Sequence, residues 1–170
     1  AIIGRPNVGK STLVNRLLGE DRVLAADHPG TTRDSIQISF EYDGRPYELI
    51  DTAGVRRRAK VKDMVEKFSV IKTLQAIERA QVVVAMVDAR SEIGNQDARL
   101  MGLAAERGRA MIVAVNKWDS LPNYDREEAR RAIDTRLPFL DYVPVHFISA
   151  LHGSGLKELM AQVDRVHASS

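Results

Sequence analysis

Hydrophobic and polar positions follow two rhythms along this chain, and the two alternate. Leu13, Val14, Leu17 and Leu18 recur at helical spacing and Gly19 stops them, which predicts a helix with one apolar stripe. Ile36, Ile38, Phe40 and Tyr42 instead alternate with Gln37, Ser39 and Glu41. Asp43-Gly44 then supplies a turn and Tyr47 to Asp51 returns, so this stretch predicts an antiparallel hairpin. Val65, Phe68, Ile71, Leu74 and Ile77 mark a long helix. Val82 to Val87, ending in Asp88, and Ala110 to Val115, ending at Asn116, are nearly unbroken apolar runs, as strands buried on both faces are. Helices are expected from about Gln96 to Glu106, over the charged and exposed stretch Arg126 to Leu137, and from Leu156 to Val166, with a last strand from Val143 to Ile148. Strands alternating with helices imply a mostly parallel sheet covered on both faces. Ligands of such sheets sit at the carboxyl ends of the strands. Glu20 to Asp34 carries neither rhythm and reads as a mobile loop.

Composition narrows the class. The chain has 170 residues, 44% of them hydrophobic, enough for one sizeable core and too few for two comfortable domains, so residues 1–170 are expected to form a single domain. Lys and Arg number 25 against 23 Asp and Glu, and the net charge of +2 gives no argument for nucleic-acid binding. Cysteine is absent, which excludes disulfides and thiolate metal sites and fits a reducing compartment. No apolar run approaches the ~18 residues of a membrane span. With no signal-peptide pattern either, a soluble, cytoplasmic protein without membrane attachment is expected. Only Ala1, Ile2 and Ile3 precede Gly4, fewer than the roughly five or six residues of a usual strand, so the chain is expected to have been excised from a longer, multi-domain one.

Between the first strand and the first helix runs Gly4-Arg5-Pro6-Asn7-Val8-Gly9-Lys10-Ser11, with the G-x-x-x-x-G-K-S spacing of a P-loop. Its glycines let the backbone curl so that successive N–H groups point inward at a phosphate chain. The helix starting near Lys10 adds its positive end. Gly4 to Ser11, with Thr12 beside them, are therefore the candidate phosphate contacts; Lys10 is placed to reach the β- and γ-phosphates and Ser11 to offer its hydroxyl to Mg²⁺. Asp51-Thr52-Ala53-Gly54 ends the strand expected beside the P-loop strand. Asp51 can approach Mg²⁺ through a water and the Gly54 N–H can meet a γ-phosphate, with Thr52 and Ala53 in the same contact set. In the mobile loop, Thr32 is a second candidate Mg²⁺ ligand, with Thr31 as its rival. A hydroxyl there binds metal only while a γ-phosphate is present, so triphosphate would order the loop and hydrolysis release it. Both threonines also suit the start of the next strand. Lys10, Thr32 and Gly54 are the candidate catalytic residues.

Asn116-Lys117-Trp118-Asp119 bears on the base. At a strand end the Asp119 carboxylate can accept from both guanine N1–H and the 2-amino group, whereas adenine offers an acceptor at N1 and no 2-amino group. Guanine is the expected choice, and discrimination by such a paired contact can be large. Asn116 would brace the loop, and the aliphatic stem of Lys117 would cover one face of the base. Ser149-Ala150 follows the last strand, where a backbone N–H could donate to the guanine 6-oxo group. Trp118 is expected to pack beside this loop. His28, His146, His152 and His167 show no ligand spacing.

In this order the motifs resemble those of the translation-factor-related GTPases across essentially the whole chain. Gly30-Thr31-Thr32-Arg33-Asp34 is similar to the signature of the Era-like branch. Val65-Glu66-Lys67-Phe68-Ser69-Val70-Ile71-Lys72-Thr73-Leu74, with Asn116-Lys117-Trp118-Asp119, resembles the second GTPase domain of the Der (EngA) family, bacterial double-GTPase ribosome-assembly factors that also carry a KH-like domain. The resemblance implies an α/β P-loop NTPase of the Ras-like G-domain type, with a mostly parallel six-stranded sheet, one antiparallel edge strand and helices on both faces. It implies binding of GTP and GDP with Mg²⁺, GTP hydrolysis, and a role in large ribosomal subunit maturation. The implied partners are the large subunit and its rRNA and the companion GTPase and KH-like domains; a monomer is expected. Family use of potassium carries over to Asn7, whose side chain would coordinate K⁺ beside the phosphates, with backbone carbonyls of the loop before Thr31 completing the shell. Suitability for a tight turn is the other account of Asn7.

Where the better-known small GTPases place a water-positioning Gln after the D-x-x-G glycine, this chain has Val55, which cannot orient a nucleophile. Slow hydrolysis is expected, with charge on the transferring phosphoryl offset by Lys10, Mg²⁺ and K⁺. Arg56, Arg57, Arg58, Lys60 and Lys62 form a basic run that reads either as a solvated loop kept mobile by like charges or as a docking surface for rRNA or the companion domains. Two other functions stay open at this point. One is a binding module that holds GTP or GDP and recruits RNA or protein with negligible turnover; the other, a P-loop kinase using ATP, is opposed by Asp119 and by the lack of an acceptor-site motif.

Overall fold

The computed structural model describes residues 1–4, 8–19, 37–50, 70–89, 95–117 and 143–169, together with helical positions 127, 128, 131 and 135. In chain order these form β1 (Ile2–Ile3), α1 (Lys10–Leu18), β2 (Gln37–Tyr42), β3 (Arg45–Ile50), α2 (Val70–Arg79), β4 (Val82–Asp88), α3 (Asn95–Glu106), β5 (Ala110–Asn116), β6 (Val145–Phe147) and α4 (Leu156–Ser169). Strands β1, β4, β5 and β6 lie parallel in the order β1-β4-β5-β6, and β2 pairs antiparallel with β3. A mostly parallel sheet with an antiparallel element is thus present. Among the described residues no ladder joins β3 to β1, so the strands fall as a sheet of four and a pair. With two residues, β1 offers few rungs, yet Ile50 at the end of β3 packs in the same apolar cluster as Ile3.

Period-two alternation along β4 and β5 explains why helices cover both faces. Val83, Ala85 and Val87 with Val113 and Val115 face one side, against Ala76 and Ile77 of α2 and Leu100, Met101 and Ala104 of α3. Val84 and Met86 with Ile112 and Ala114 face the other, against Leu13 and Leu17 of α1, Leu159 and Met160 of α4, and Ile38, Phe40 and Leu49 of the hairpin. Each buried Val, Leu, Ile, Phe or Met among them contributes about 1.5–3 kcal/mol by leaving water.

The hairpin turns at Asp43 and Gly44, both at positive φ (53° and 79°), as the right-handed strand twist requires of a two-residue turn. Val65 and Phe68, expected in the helix that continues as α2, lie outside the described residues. Ile71, expected on its apolar stripe, is 70% exposed, because α2 packs through Ala76 and Ile77 nearer its end. Strand β6 is shorter than the expected 143–148, although the Pro144 carbonyl and the Ile148 N–H still bond β5, at Val113 N and Val115 O. Among the described residues no helix is long and apolar enough to cross a membrane.

Candidate functional site

Because the four strands run parallel, their carboxyl ends share one edge of the sheet: Gly4 follows β1, Ala89 follows β4, Lys117 follows β5, and Ser149 and Ala150 lie just past β6. The edge is level at its centre, where Asp88 and Asn116 are the last paired residues of β4 and β5 and the Ala89 N–H donates to the Asn116 carbonyl at 2.8 Å.

Two glycines shape the approach to α1. A Cβ on Gly4 would stand 2.7 Å from the Met86 carbonyl oxygen, and one on Gly9, where φ is 104°, would stand 2.1 Å from Asn116 Nδ2. Neither position has room for a side chain. Gly9 caps α1 without any side-chain hydrogen bond, and the first turn holds no acidic residue. With no acidic side chain in the first turn to meet it, the positive end of α1 fits a phosphate group. Lys10 opens the helix, and its Nζ donates to the Gly4 carbonyl at 2.8 Å, tying the helix start to the end of β1. Ser11 is half-buried in the same turn and Thr12 is exposed.

The second half of the edge is held by Asn116, which is 3% exposed. Its Nδ2 donates to the Val8 carbonyl at 2.8 Å, and its Oδ1 accepts from the Ala150 N–H at 2.9 Å. One buried amide thus joins the segment before α1 to the loop after β6. Lys117 takes the left-handed conformation, φ 64°, and its Nζ pairs with buried Asp88 Oδ2 at 3.0 Å. A non-glycine residue at such a φ costs of order 1–3 kcal/mol and persists where the surroundings hold it; the ion pair to Asp88 is one such tie. Ser149 donates its N–H to the Ser154 carbonyl at 3.0 Å, and its Oγ accepts from the His152 N–H at 3.2 Å. Both N–H groups considered for a 6-oxo contact, those of Ser149 and Ala150, therefore already donate within the protein.

Of the candidate residues, the structure brings together Gly4, Val8, Gly9, Lys10, Ser11, Thr12, Asn116, Lys117, Ser149 and Ala150. Arg5, Pro6, Asn7, Thr31, Thr32, Asp51, Thr52, Ala53, Gly54 and Asp119 lie outside the described residues, as do Val55, Trp118, His28 and the basic run from Arg56 to Lys62. Among the described residues no cluster of three or more His, Asp and Glu side chains could hold a metal. His146 and His167 meet Gln162 and Gln81.

Two residues at this edge escaped the sequence reading. Asp88 anchors Lys117, and its only signal was a carboxylate ending an apolar run. Arg16 of α1 donates through Nε to the Ala150 carbonyl at 2.8 Å and through Nη2 to the Leu151 carbonyl. No local pattern announces a contact across 134 residues.

Residues 1–117 match the family described as "50S ribosome-binding GTPase". The chain is similar to GTPase Der of Nitrosospira multiformis, 61% identical over 171 residues, a match covering 100% of this chain and 37% of that protein. It is similar to GTPase Der of Acinetobacter baumannii, 59% identical over 170 residues and covering 100% and 36%. The chain thus spans just over a third of these relatives' length. Among solved structures it is similar to Era in complex with MgGDPNP and nucleotides 1506–1542 of 16S ribosomal RNA, at 26% identity and a TM-score of 0.67, over 95% of this chain and 54% of that one.

Proposed function

This chain belongs to the 50S ribosome-binding GTPase family, and from that premise we propose that it binds GTP and GDP and hydrolyses GTP to GDP and phosphate as a Mg²⁺-dependent switch in large ribosomal subunit assembly. One observation carries the reading: the Asn116 side chain bonds Val8 beside the phosphate-binding turn and Ala150 in the loop after β6, so a phosphate-holding segment and a base-reading segment are fastened to each other. A mononucleotide is a ligand long enough to need both.

In this reading the α-, β- and γ-phosphates lie against the N–H groups at the start of α1, and Lys10 turns from the Gly4 carbonyl to the β- and γ-oxygens. Its charge rises in value as negative charge moves off the γ-phosphoryl group, which favours the transition state over the bound substrate. Mg²⁺, when bound, supplies neutralisation of the phosphate oxygens; Ser11 and Thr32 would hold it directly and Asp51 through a water. The Gly54 N–H would meet the γ-phosphate, with Thr52 and Ala53 alongside, and Arg5, Pro6 and Asn7 would complete the turn. Asn7 is the residue offered to K⁺. Asp119 would accept from guanine N1–H and the 2-amino group, and Lys117, anchored by Asp88, would lay its stem on the purine. Val55 leaves attack by water without a side chain to direct it, so slow turnover follows, and K⁺ held by Asn7 would stimulate it. Ribosomal RNA, reached in part through the basic run from Arg56 to Lys62, and companion GTPase and KH-like domains are the proposed partners of a cytoplasmic protein.

Single-turnover hydrolysis of GTP with Mg²⁺ is the test. Turnover is expected to be at least about tenfold faster in KCl than in NaCl, from added charge on the phosphoryl group. Equal rates would remove the potassium step, and undetectable hydrolysis in both salts would leave a nucleotide-binding module. Asp119→Asn is expected to shift preference from guanine to xanthine nucleotides; retained GTP selectivity contradicts the assignment of the base.

A further inference from the structure

Arg16 sits on the exposed side of α1 and spends its guanidinium on the main chain past β6. It holds two consecutive carbonyls, those of Ala150 and Leu151, and Gly153 of the same loop packs on it so closely that a Cβ there would lie 3.3 Å from Arg16 Nη1. A guanidinium offers its donors in one rigid plane, so two carbonyls on one fork are held in a fixed orientation to each other.

That fixes the donors as well. In a trans peptide the C=O and the following N–H point in opposite directions, and no peptide bond among the described residues is cis. An Ala150 carbonyl held on Arg16 therefore turns the Leu151 N–H away from the guanidinium. The neighbouring N–H groups are already committed: Ser149 to Ser154 O, Ala150 to Asn116 Oδ1 and His152 to Ser149 Oγ. Among the described residues the Leu151 N–H has no acceptor, and Leu151 is 67% exposed.

We infer that Arg16 is a positioning residue for purine selectivity: by fastening the Ala150 and Leu151 carbonyls to α1, it aims the Leu151 N–H at the 6-oxo group of a bound guanine. The inference rests on the guanine-nucleotide reading above. It gives α1 a second duty, since the helix that meets the phosphates at its start also sets the base-reading loop from its second turn.

The test compares GDP with the 5′-diphosphate of 2-aminopurine riboside, which keeps the 2-amino group and lacks the 6-oxo group. Dissociation constants for both are measured in the protein and in Arg16→Met, which keeps an unbranched stem without donors, and Arg16→Lys, whose single ammonium cannot hold both carbonyls in plane. The unaltered protein is expected to prefer GDP by about 30-fold or more. Arg16→Met is expected to cut the preference to about fivefold or less by weakening GDP alone, with the analogue within about threefold, and Arg16→Lys is expected to fall between. A wild-type ratio in folded Arg16→Met, or equal weakening of both ligands, overturns the inference. Should Arg16→Met fail to fold, a wild-type ratio in Arg16→Lys does the same. Failure of the unaltered protein to bind GDP would instead sink the guanine-nucleotide reading and is seen before any variant is made.

Discussion

The edge that carries Asn116 and the β2–β3 hairpin are both fastened by side-chain hydrogen bonds, but the bonds are of different kinds. At the edge, a buried side chain bonds backbone on two segments far apart in the chain, Val8 and Ala150. At the hairpin, Tyr47 Oη donates to Asp164 Oδ1 of α4 at 2.7 Å and Arg45 pairs with Oδ2 of the same carboxylate at 3.1 Å, side chain to side chain and partly in water. A buried amide that loses a partner leaves polar backbone atoms unpaired, whereas a wet carboxylate that loses one finds solvent. The first arrangement fixes the backbone of both segments. The second can lose a partner at little cost, because Ile38, Phe40 and Leu49 still hold the hairpin through the core.

Substitutions should separate the two regions by size of effect. Asn116→Ala removes both bonds at once and strands the Val8 carbonyl and the Ala150 N–H; a loss of about 3 kcal/mol is expected in urea unfolding, with nucleotide affinity falling by about 100-fold or more as the two segments part. Loss of affinity without loss of stability would show that Asn116 serves the ligand alone. Gly9→Ala puts a Cβ 2.1 Å from Asn116 Nδ2 at a φ of 104°, so the same junction should weaken by about 2–3 kcal/mol. A neutral result would mean that the Asn116 side chain yields freely, against the comparison.

Tyr47→Phe probes the hairpin and should matter least, under about 1 kcal/mol near neutrality, since the ring keeps its stacking on Phe40 at 5.3 Å. Its signature lies in alkali. Burial first, and the Asp164 carboxylate second, push the Tyr47 phenol up from 10.0 to about 12. The folded chain then holds that proton more tightly than the unfolded chain, so the contribution is complete below pH 10 and is lost as pH rises toward 12. Tyr47→Phe should flatten this part of the stability profile relative to the unaltered protein; an identical fall in both would contradict the assignment.

The same contrast marks how far the chain could be read before it was seen folded. Strands β4 and β5 stand out because a strand buried on both faces must be apolar throughout, and the hairpin because Asp43-Gly44 sits between alternating runs. These are local signals. Asn116 stood out by its place after an apolar run, but which segments its amide would hold depends on how β5 and β6 bring residues from both ends of the chain together. Arg16 was illegible for that reason: a charged residue on the open face of an amphipathic helix looks like any solvated one. The Ala150 N–H reads as an open donor in sequence and is engaged by Asn116 in the fold. Ile71 fits a helical stripe by spacing, yet only the packing of α2 shows that the stripe is covered from Ala76 onward.

All of this turns on one claim, that the edge formed by Gly9, Lys10, Asn116 and the loop after β6 is built to hold a guanine nucleotide. Titration of the protein with GDP and, separately, ADP in the presence of Mg²⁺ tests it most directly. GDP is expected to bind at least about a thousandfold more tightly, as a site made to pair with polar groups of its ligand rejects a base that lacks them. Equal affinity for the two, or no affinity for either, would contradict it.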